Sequence, residues 1–422
     1  MRYRELLELY RKKELGEQER EMIEQEIEKH EAISEYLFER EESDTLNFGA
    51  DASQSESAEP GQKREEGAGG DEFTKRVNRA IRRAFLRMGA AVCAVTLVIV
   101  LLILFVLPGV VSQFYYDPGK IVGQDSYGGT TNQMSLDMAV YTELALPGTY
   151  RNNVQVEDRG YGNYDISIYQ NVSRTGRFQN TAGQIQKGEL RLYDINQFSL
   201  PVSNAFGWFQ MDMDQEGTLT EQIADGQGQF FGASGDRELC LENLNALDDS
   251  RFYLAYVTLD RIMPYEAFLE FSEAQSDSIM DVWCAPRTMT EGSYQAAGRP
   301  ANLGFYTLLG QSASVEWDRE KYPDLVIWSY GDDSASGDEA EEKLADETSA
   351  GEHFAVMLDY MSEQEEFLEM MGQSPNGFAE AADYVRENGL EIYGFACIAQ
   401  KDVLLELMET DEVYGIYTVE YN

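Results

Sequence analysis

Between Gly89 and Val111 lie 23 residues without a charge, GAAVCAVTLVIVLLILFVLPGVV. At about 1.5 Å per residue, a helix of this length reaches roughly 34 Å, enough for a hydrocarbon core of about 30 Å. A secretory signal would sit near the first residue, carry a shorter apolar stretch and end in a small-residue cleavage site. The stretch at 89–111 fits none of these, so it reads as one transmembrane helix. Such a span divides the rest of the chain into two parts that fold in different compartments.

The flanks set the orientation. Lys75, Arg76, Arg79, Arg82, Arg83 and Arg87 precede the span with no acid between Phe73 and Met88, whereas Asp117 and Lys120 are the first charges after it. Cytoplasmic flanks carry the excess of Lys and Arg, so residues 1–88 are expected in the cytoplasm and 112–422 outside. The same basic segment, 75–88, meets anionic lipid headgroups. Elsewhere the chain is strongly acidic, with 33 Lys plus Arg against 76 Asp plus Glu. A net charge of −43 argues against nucleic acid as a partner, because phosphates are read by clustered cations.

The pattern before the span is helical. Tyr3, Leu6, Leu7 and Tyr10 fall at i, i+3, i+4, i+7, and after Gly16 a second stripe runs through Ile23, Ile27, His30, Ile33 and Leu37. Residues 1–40 therefore form a helical arm too small to bury a useful core alone, suited to docking on a partner. Residues 41–74 are rich in Ser, Gly, Glu and Asp and read as a flexible linker.

Beyond the span the expected class is α+β. Residues 112–235 read as a β-rich region, with alternating stretches such as YDISIY at 164–169 and ELRLYDI at 189–195. Residues 236–422 read as a mixed α/β domain able to fold alone, with two strand–helix–strand units. The first runs from Phe252–Leu259 through a helix opening at Pro264 to Ile279–Cys284. The second comprises Leu390–Ile398, a helix face of Val403, Leu404, Leu407 and Met408, and Val413–Tyr421. One helix between these units carries Phe354 to Leu368, and another opens at Ser374–Pro375 and stops at Gly389.

Candidate sites are sparse. Residues 331–352 hold nine acids and one Lys and read as a solvated acidic loop, since Lys343 occupies the place where a calcium loop needs Glu. Two histidines in the whole chain leave little for a metal or acid–base centre, and Ser234 in GASGD lacks the spacing of a hydrolase nucleophile. No metal and no cofactor are expected. Cys240 and Cys284 would both face an oxidising compartment and form a candidate disulfide, whereas Cys397 reads as core.

Three segments carry a family resemblance: ELLELYRKKELGEQEREMIEQEIEKHEAISEYL in the arm, KRVNRAIRRAFLRM with the span and MAVYTELALPG at 138–148, and YVRENGLEIYGFACIAQKDVLLELMETDEVYGIYTVEY at the end. Together they resemble the single-pass anti-sigma factors of Gram-positive bacteria, in the sigma-factor-regulator family with paired N-terminal and C-terminal domains. The resemblance implies that the arm sequesters an extracytoplasmic-function sigma factor while the outer domain answers an envelope signal; a second membrane regulator stays open as a partner. Zinc-containing relatives carry a His-x3-Cys-x2-Cys triplet in the arm. The matching positions here are Glu26, His30 and Ile33, so the zinc set is missing.

The residues agree with that implication in sign. Glu14 to Glu42 holds twelve acids and three basic residues, a negative body under an apolar stripe, suited to a partner with basic surfaces. Leu6, Leu7, Tyr10, Ile23, Ile27, Ile33 and Leu37 are the expected docking residues. Two rivals stand beside this reading: a surface binding protein whose arm is only an anchor, and an extracytoplasmic enzyme using acids such as Asp260 or Glu270.

Overall fold

A computed structural model describes residues 70–422 except the short segments 125–127, 173–176, 203–204, 208–216, 226–235, 276–277, 290–301, 308–314 and 328–336 and residue 422. The arm with its docking stripe, most of the linker, and Ser234 lie outside the described residues.

The apolar stretch is helical and begins earlier than its uncharged core. Helix α1 (Gly70–Leu101) is followed by one π-helical turn (Leu102–Val106) and the short α2 (Leu107–Ser112). Residues 78–112 are long and apolar enough to cross a membrane, and no side chain of that span's most apolar window is buried. Exposed Leu, Ile, Val and Phe at such density need an apolar solvent around them.

Residues 90–422 form one compact unit. Strands β1 (Ile121–Gln124) and β2 (Thr130–Asn132) make a small antiparallel ladder. Helix α3 (Gln133–Ala145) follows, its N-terminus capped by the Asn132 side chain accepting from Ser135 N. Then β3 (Tyr150–Gly160), β4 (Asn163–Asn171), β5 (Phe178–Gln186) and β6 (Glu189–Leu192) form an antiparallel meander. In β4 the alternation is regular: Tyr164, Ile166 and Ile168 are buried and their neighbours half-buried. The β-rich reading of 112–235 thus holds for the meander but missed α3, and the region closes with a helix, α4 (Leu219–Ala224).

The end of the chain builds the second sheet. After α5 (Arg237–Asn245) come β7 (Phe252–Pro264), α6 (Tyr265–Ala274), β8 (Met280–Pro286) and the two-residue β9 (Phe305–Tyr306). Four helices follow: α7 (Gly337–Ala345), α8 (Glu347–Ser362), α9 (Glu365–Met370) and α10 (Phe378–Asn388). The chain finishes with β10 (Glu391–Gln400), α11 (Lys401–Glu409) and β11 (Val413–Tyr421). Strand order is β11-β7-β10-β8-β9, and every pairing is antiparallel. Each strand–helix–strand unit therefore leaves room for a strand of the other between its own two. This is a pair of interleaved split β-α-β units, the ferredoxin-like arrangement.

Two expectations need correction here. The acidic segment 331–352 is helical from Gly337 onward: Glu, Ala, Lys and Leu are strong helix formers, Ala340 and Leu344 bury one face, and Asp346 caps α8. The helix expected over Phe354 to Leu368 is two helices, with Leu368 on α9.

The boundary expected at 235/236 does not separate two cores. On the sheet's first face Tyr253, Ala255, Val257 and Leu259 of β7 join one cluster with Met134, Met138 and Leu144 of α3 and Ile166 of β4. Its other face, with Leu254, Tyr256, Trp283 and Ala396, is covered by Phe206 and Leu219. Hydrogen bonds stitch the end of α3 to the sheet: Trp283 Nε1 donates to the Glu143 carbonyl (2.7 Å), Gly304 N to Leu144 O (2.9 Å) and Tyr421 Oη to Gly148 O (3.0 Å). A fragment of residues 236–422 is therefore expected to melt broadly and aggregate, because it uncovers the face under Phe206 and Leu219 and the part of the other face that meets α3. Residues 113–422 should melt in one transition by circular dichroism. Equal midpoints for the two fragments would contradict a shared core.

Candidate functional site

Of the residues expected to matter, the docking stripe lies outside the described residues. The basic set lies on α1, where Arg79, Arg82, Arg83 and Arg87 are exposed. Cys240 and Cys284 are free and buried, so the candidate disulfide is not formed. Their places explain this: Cys240 is on α5, which packs by β11, and Cys284 is on β8, three strands across the sheet. At about 4.8 Å per strand that is beyond the reach of a disulfide, whose Cα atoms lie within about 7 Å. His353 is a satisfied core residue, its Nδ1 2.7 Å from the Asp324 carbonyl and its Nε2 3.4 Å from Glu143 Oε1. Asp260 accepts from both the backbone N and the hydroxyl of Thr220 (2.8 and 2.7 Å) and so anchors α4. Among the described residues no group of three or more His, Cys, Asp or Glu is arranged to hold a metal.

What the structure does assemble is a junction at the end of the apolar helix. In the π-helical turn the Leu107 N–H donates to Leu102 O, five residues back. The next bond of that ladder would run from residue 108 to the Ile103 carbonyl, but Pro108 has no N–H. The Tyr161 hydroxyl donates to Ile103 O instead, at 2.6 Å. Tyr161 stands at the tip of the β3–β4 hairpin, where Gly160 pairs with Asn163 and both central residues have positive φ (59° at Tyr161, 72° at Gly162). A side chain at 162 would also strike the Tyr115 ring, 2.7 Å from where its Cβ would stand. Gly162 N donates to Ser112 Oγ (3.0 Å), which in turn donates to Pro108 O (2.9 Å). The hairpin thus supplies the polar partners that the broken helix lacks, and partners matter most where water is scarce. Replacing Tyr161 by Phe removes one such bond, worth about 1 kcal/mol. Hydrogen exchange at Gly162 and Lys187, whose N–H donates to Gly162 O, should quicken several-fold; unchanged protection would argue against the clamp.

Behind this clamp a second knot ties the exit segment to the core. Asp137 of α3 is fully buried and accepts from Tyr116 Oη (2.6 Å) after the span, from Tyr360 Oη (2.6 Å) of α8, and from Gln133 Nε2 (2.8 Å). Burial pushes its carboxyl up from 3.8 to about 6, while the three donors and the Lys120 charge pull the other way. Beside Tyr116 and Gln133 a cavity of about 780 Å³ opens between Gly109 and Ser112 of α2 and Glu365 and Phe367 of α9. The junction therefore joins four separate elements (α2, the β3–β4 hairpin, α3 and α8) around the point where the helix ends.

The signals for it were present but faint. Pro108 within the span and the turn GYGN at 160–163 mark the clamp, and Asp137 is the lone acid in Met134–Thr142. Nothing in one sequence pairs them. No curated protein and no solved structure matches the chain. Residues 244–417, which hold β7, α6, β8, the inserted helices, β10, α11 and most of β11, match the family described as sigma factor regulator C-terminal.

Proposed function

We propose that the chain is a membrane-anchored anti-sigma factor. Its arm, residues 1–40, holds an extracytoplasmic-function sigma factor at the cytoplasmic face, and the unit after the span faces outside and responds to an envelope signal. The observation that carries this reading is the family match over 244–417 on a chain whose described residues include one helix apolar enough to cross a membrane. Support for the orientation comes from the six cations that precede Gly89 without an acid among them. The acidic arm with an apolar stripe complements a basic sigma factor, for which Coulomb attraction favours encounter and apolar contact holds the complex. The junction is the route by which the outer unit acts on the helix: the hairpin clamp and the Asp137 knot are the contacts through which movement in the sheets reaches the span.

Two measurements test the proposal. A cysteine placed at Ser53 should be protected from an impermeant thiol reagent in intact cells, and one placed at Ser250 should react. The full-length protein, solubilised from membranes, should retain a co-expressed extracytoplasmic-function sigma factor and not the housekeeping one. Labelling at 53 would overturn the orientation. Recovery of no sigma factor would favour a surface binding protein that uses its arm as an anchor.

A further inference from the structure

The meander β3–β6 turns one face to the core and the other outward. On the outer face the cross-strand registers set side chains in rungs, Asn153–Tyr169–Asn180 and, beside it, Gln155–Ser167–Ala182. Tyr193 extends the second rung past the end of β6, since its N–H donates to Ala182 O (3.0 Å). Phe178, two residues before Asn180 along β5, points the same way. Among the described residues past 121, Phe178 and Tyr193 are the most exposed large apolar side chains, at 70% each. The charges on this face are paired with one another. Arg159 bridges Glu157 and Asp165 (2.8 and 2.7 Å), and Arg191 pairs with Glu189 (3.0 Å). Two cations thus stand against three acids, where the whole chain has 33 against 76.

A near-neutral, open face of amides, a hydroxyl and aromatic rings suits a ligand of matching chemistry. A polycation would be drawn to the acidic remainder of the chain instead, and a polyanion would be repelled by it. Neutral sugar rings fit: their C–H faces stack on aromatic rings, and their hydroxyls meet amides, which both donate and accept. The rung from Gln155 to Tyr193 crosses four strands spaced about 4.8 Å apart, about 14 Å of open contact in all. An extended chain can lie along it, whereas a coiled one touches it at only one point. We propose that this face binds a neutral, extended, β-linked glycan, with Tyr193 and Phe178 as stacking platforms and Asn153, Gln155 and Asn180 as hydrogen-bonding partners. A glycan ligand rests on the outward placement of this unit proposed above. Its binding is read on purified protein, so its failure is distinct from a failure of that placement.

The test titrates the full-length protein, in micelles of a detergent without a sugar headgroup, with cellohexaose and chitohexaose by isothermal calorimetry. At least one should bind with a Kd below about 1 mM, and maltohexaose, whose α-linkages coil it, should not. Tyr193→Ala removes a platform and should weaken binding about tenfold, whereas Tyr193→Phe keeps the ring and the affinity. Ala182→Lys sets a long side chain on the middle of the rung and should abolish binding. Both positions are exposed, so the circular dichroism of each variant should match the wild type. No heat with either extended hexamer at several millimolar would overturn the proposal, as would wild-type affinity in both Tyr193→Ala and Ala182→Lys. Equal binding of maltohexaose would overturn the extended ligand. Self-association that Tyr193→Ala abolishes, with no glycan bound, would overturn it in favour of a protein interface.

Discussion

Replacing Ile27 by Glu is expected to free the sigma factor from the membrane, cutting the amount captured with the full-length protein by more than a hundredfold. The spacing of Ile23, Ile27 and Ile33 in an otherwise charged segment predicts one helical stripe, and such a stripe needs a partner surface to be buried. Losing a buried isoleucine costs about 2 kcal/mol, and placing an unpaired carboxylate in the same contact costs more. A total of roughly 3 kcal/mol corresponds to the stated loss of affinity. Glu28→Lys is the control, because it changes the charge by two units off the stripe, where an exposed residue contributes little. Sigma factor bound to membranes, normalised to the abundance of each variant, reads the contrast. Equal capture by wild type and Ile27→Glu would refute the docking stripe.

The strands of the second sheet were legible because both of their faces are buried, which makes Phe252–Leu259 and Leu390–Ile398 nearly continuous apolar runs. The end of α10 was legible for a local reason: Gly389 takes a φ of 78° there, a conformation that favours glycine. Helix α3 was not, because it is buried on every side. Met134, Leu136, Met138, Val140, Tyr141 and Leu144 surround its axis, and no polar face marks the period. The helix α7 was hidden by composition, its acids masking the pair Ala340 and Leu344 that bury its inner face. The junction was beyond reach for another reason. A lone Asp in a sequence looks the same whether solvated or buried, and only the fold brings Tyr116 and Tyr360 onto Asp137 from 21 and 223 residues away.

That distance in sequence bears on how a signal would travel. The domain matched to the family contributes Tyr360 and the cavity wall around Phe367, while the helix end contributes Tyr116 and Ser112. A domain that only capped the helix would need no such knot. Because α3 shares its core with the second sheet, a shift of that sheet moves Asp137, and Asp137 holds the residue four places beyond the end of α2. The coupling proposed for this protein is thus a short chain of packed elements, each with named contacts that a substitution can break.

Asp137 is where breaking that chain should have the largest effect on the folded unit. Asp137→Ala strands the buried hydroxyls of Tyr116 and Tyr360, and should destabilise the protein by on the order of 3 kcal/mol. Asp137→Asn separates charge from contact. The folded carboxyl titrates near 6, above its ordinary 3.8, so the folded state holds the proton more tightly than the unfolded chain. Its contribution to stability is therefore fullest below pH 3.8, declines as pH rises to 6 and is constant above. The whole change is on the order of 3 kcal/mol, and a part on the order of 1 kcal/mol falls between pH 5 and 7. The groups facing it are Tyr116 and Lys120 from the exit segment, Gln133 from its own helix and Tyr360 from α8, and burial pushes both tyrosine hydroxyls upward, away from that window. Denaturant unfolding at pH 5, 6 and 7 should show wild type losing that stability relative to Asp137→Asn, which keeps the shape and has no proton to release. Tyr116→Phe removes a bond to the ionised form, so it should move the wild-type inflection upward in pH. Parallel pH profiles for wild type and Asp137→Asn would show that the buried carboxylate does not govern the junction.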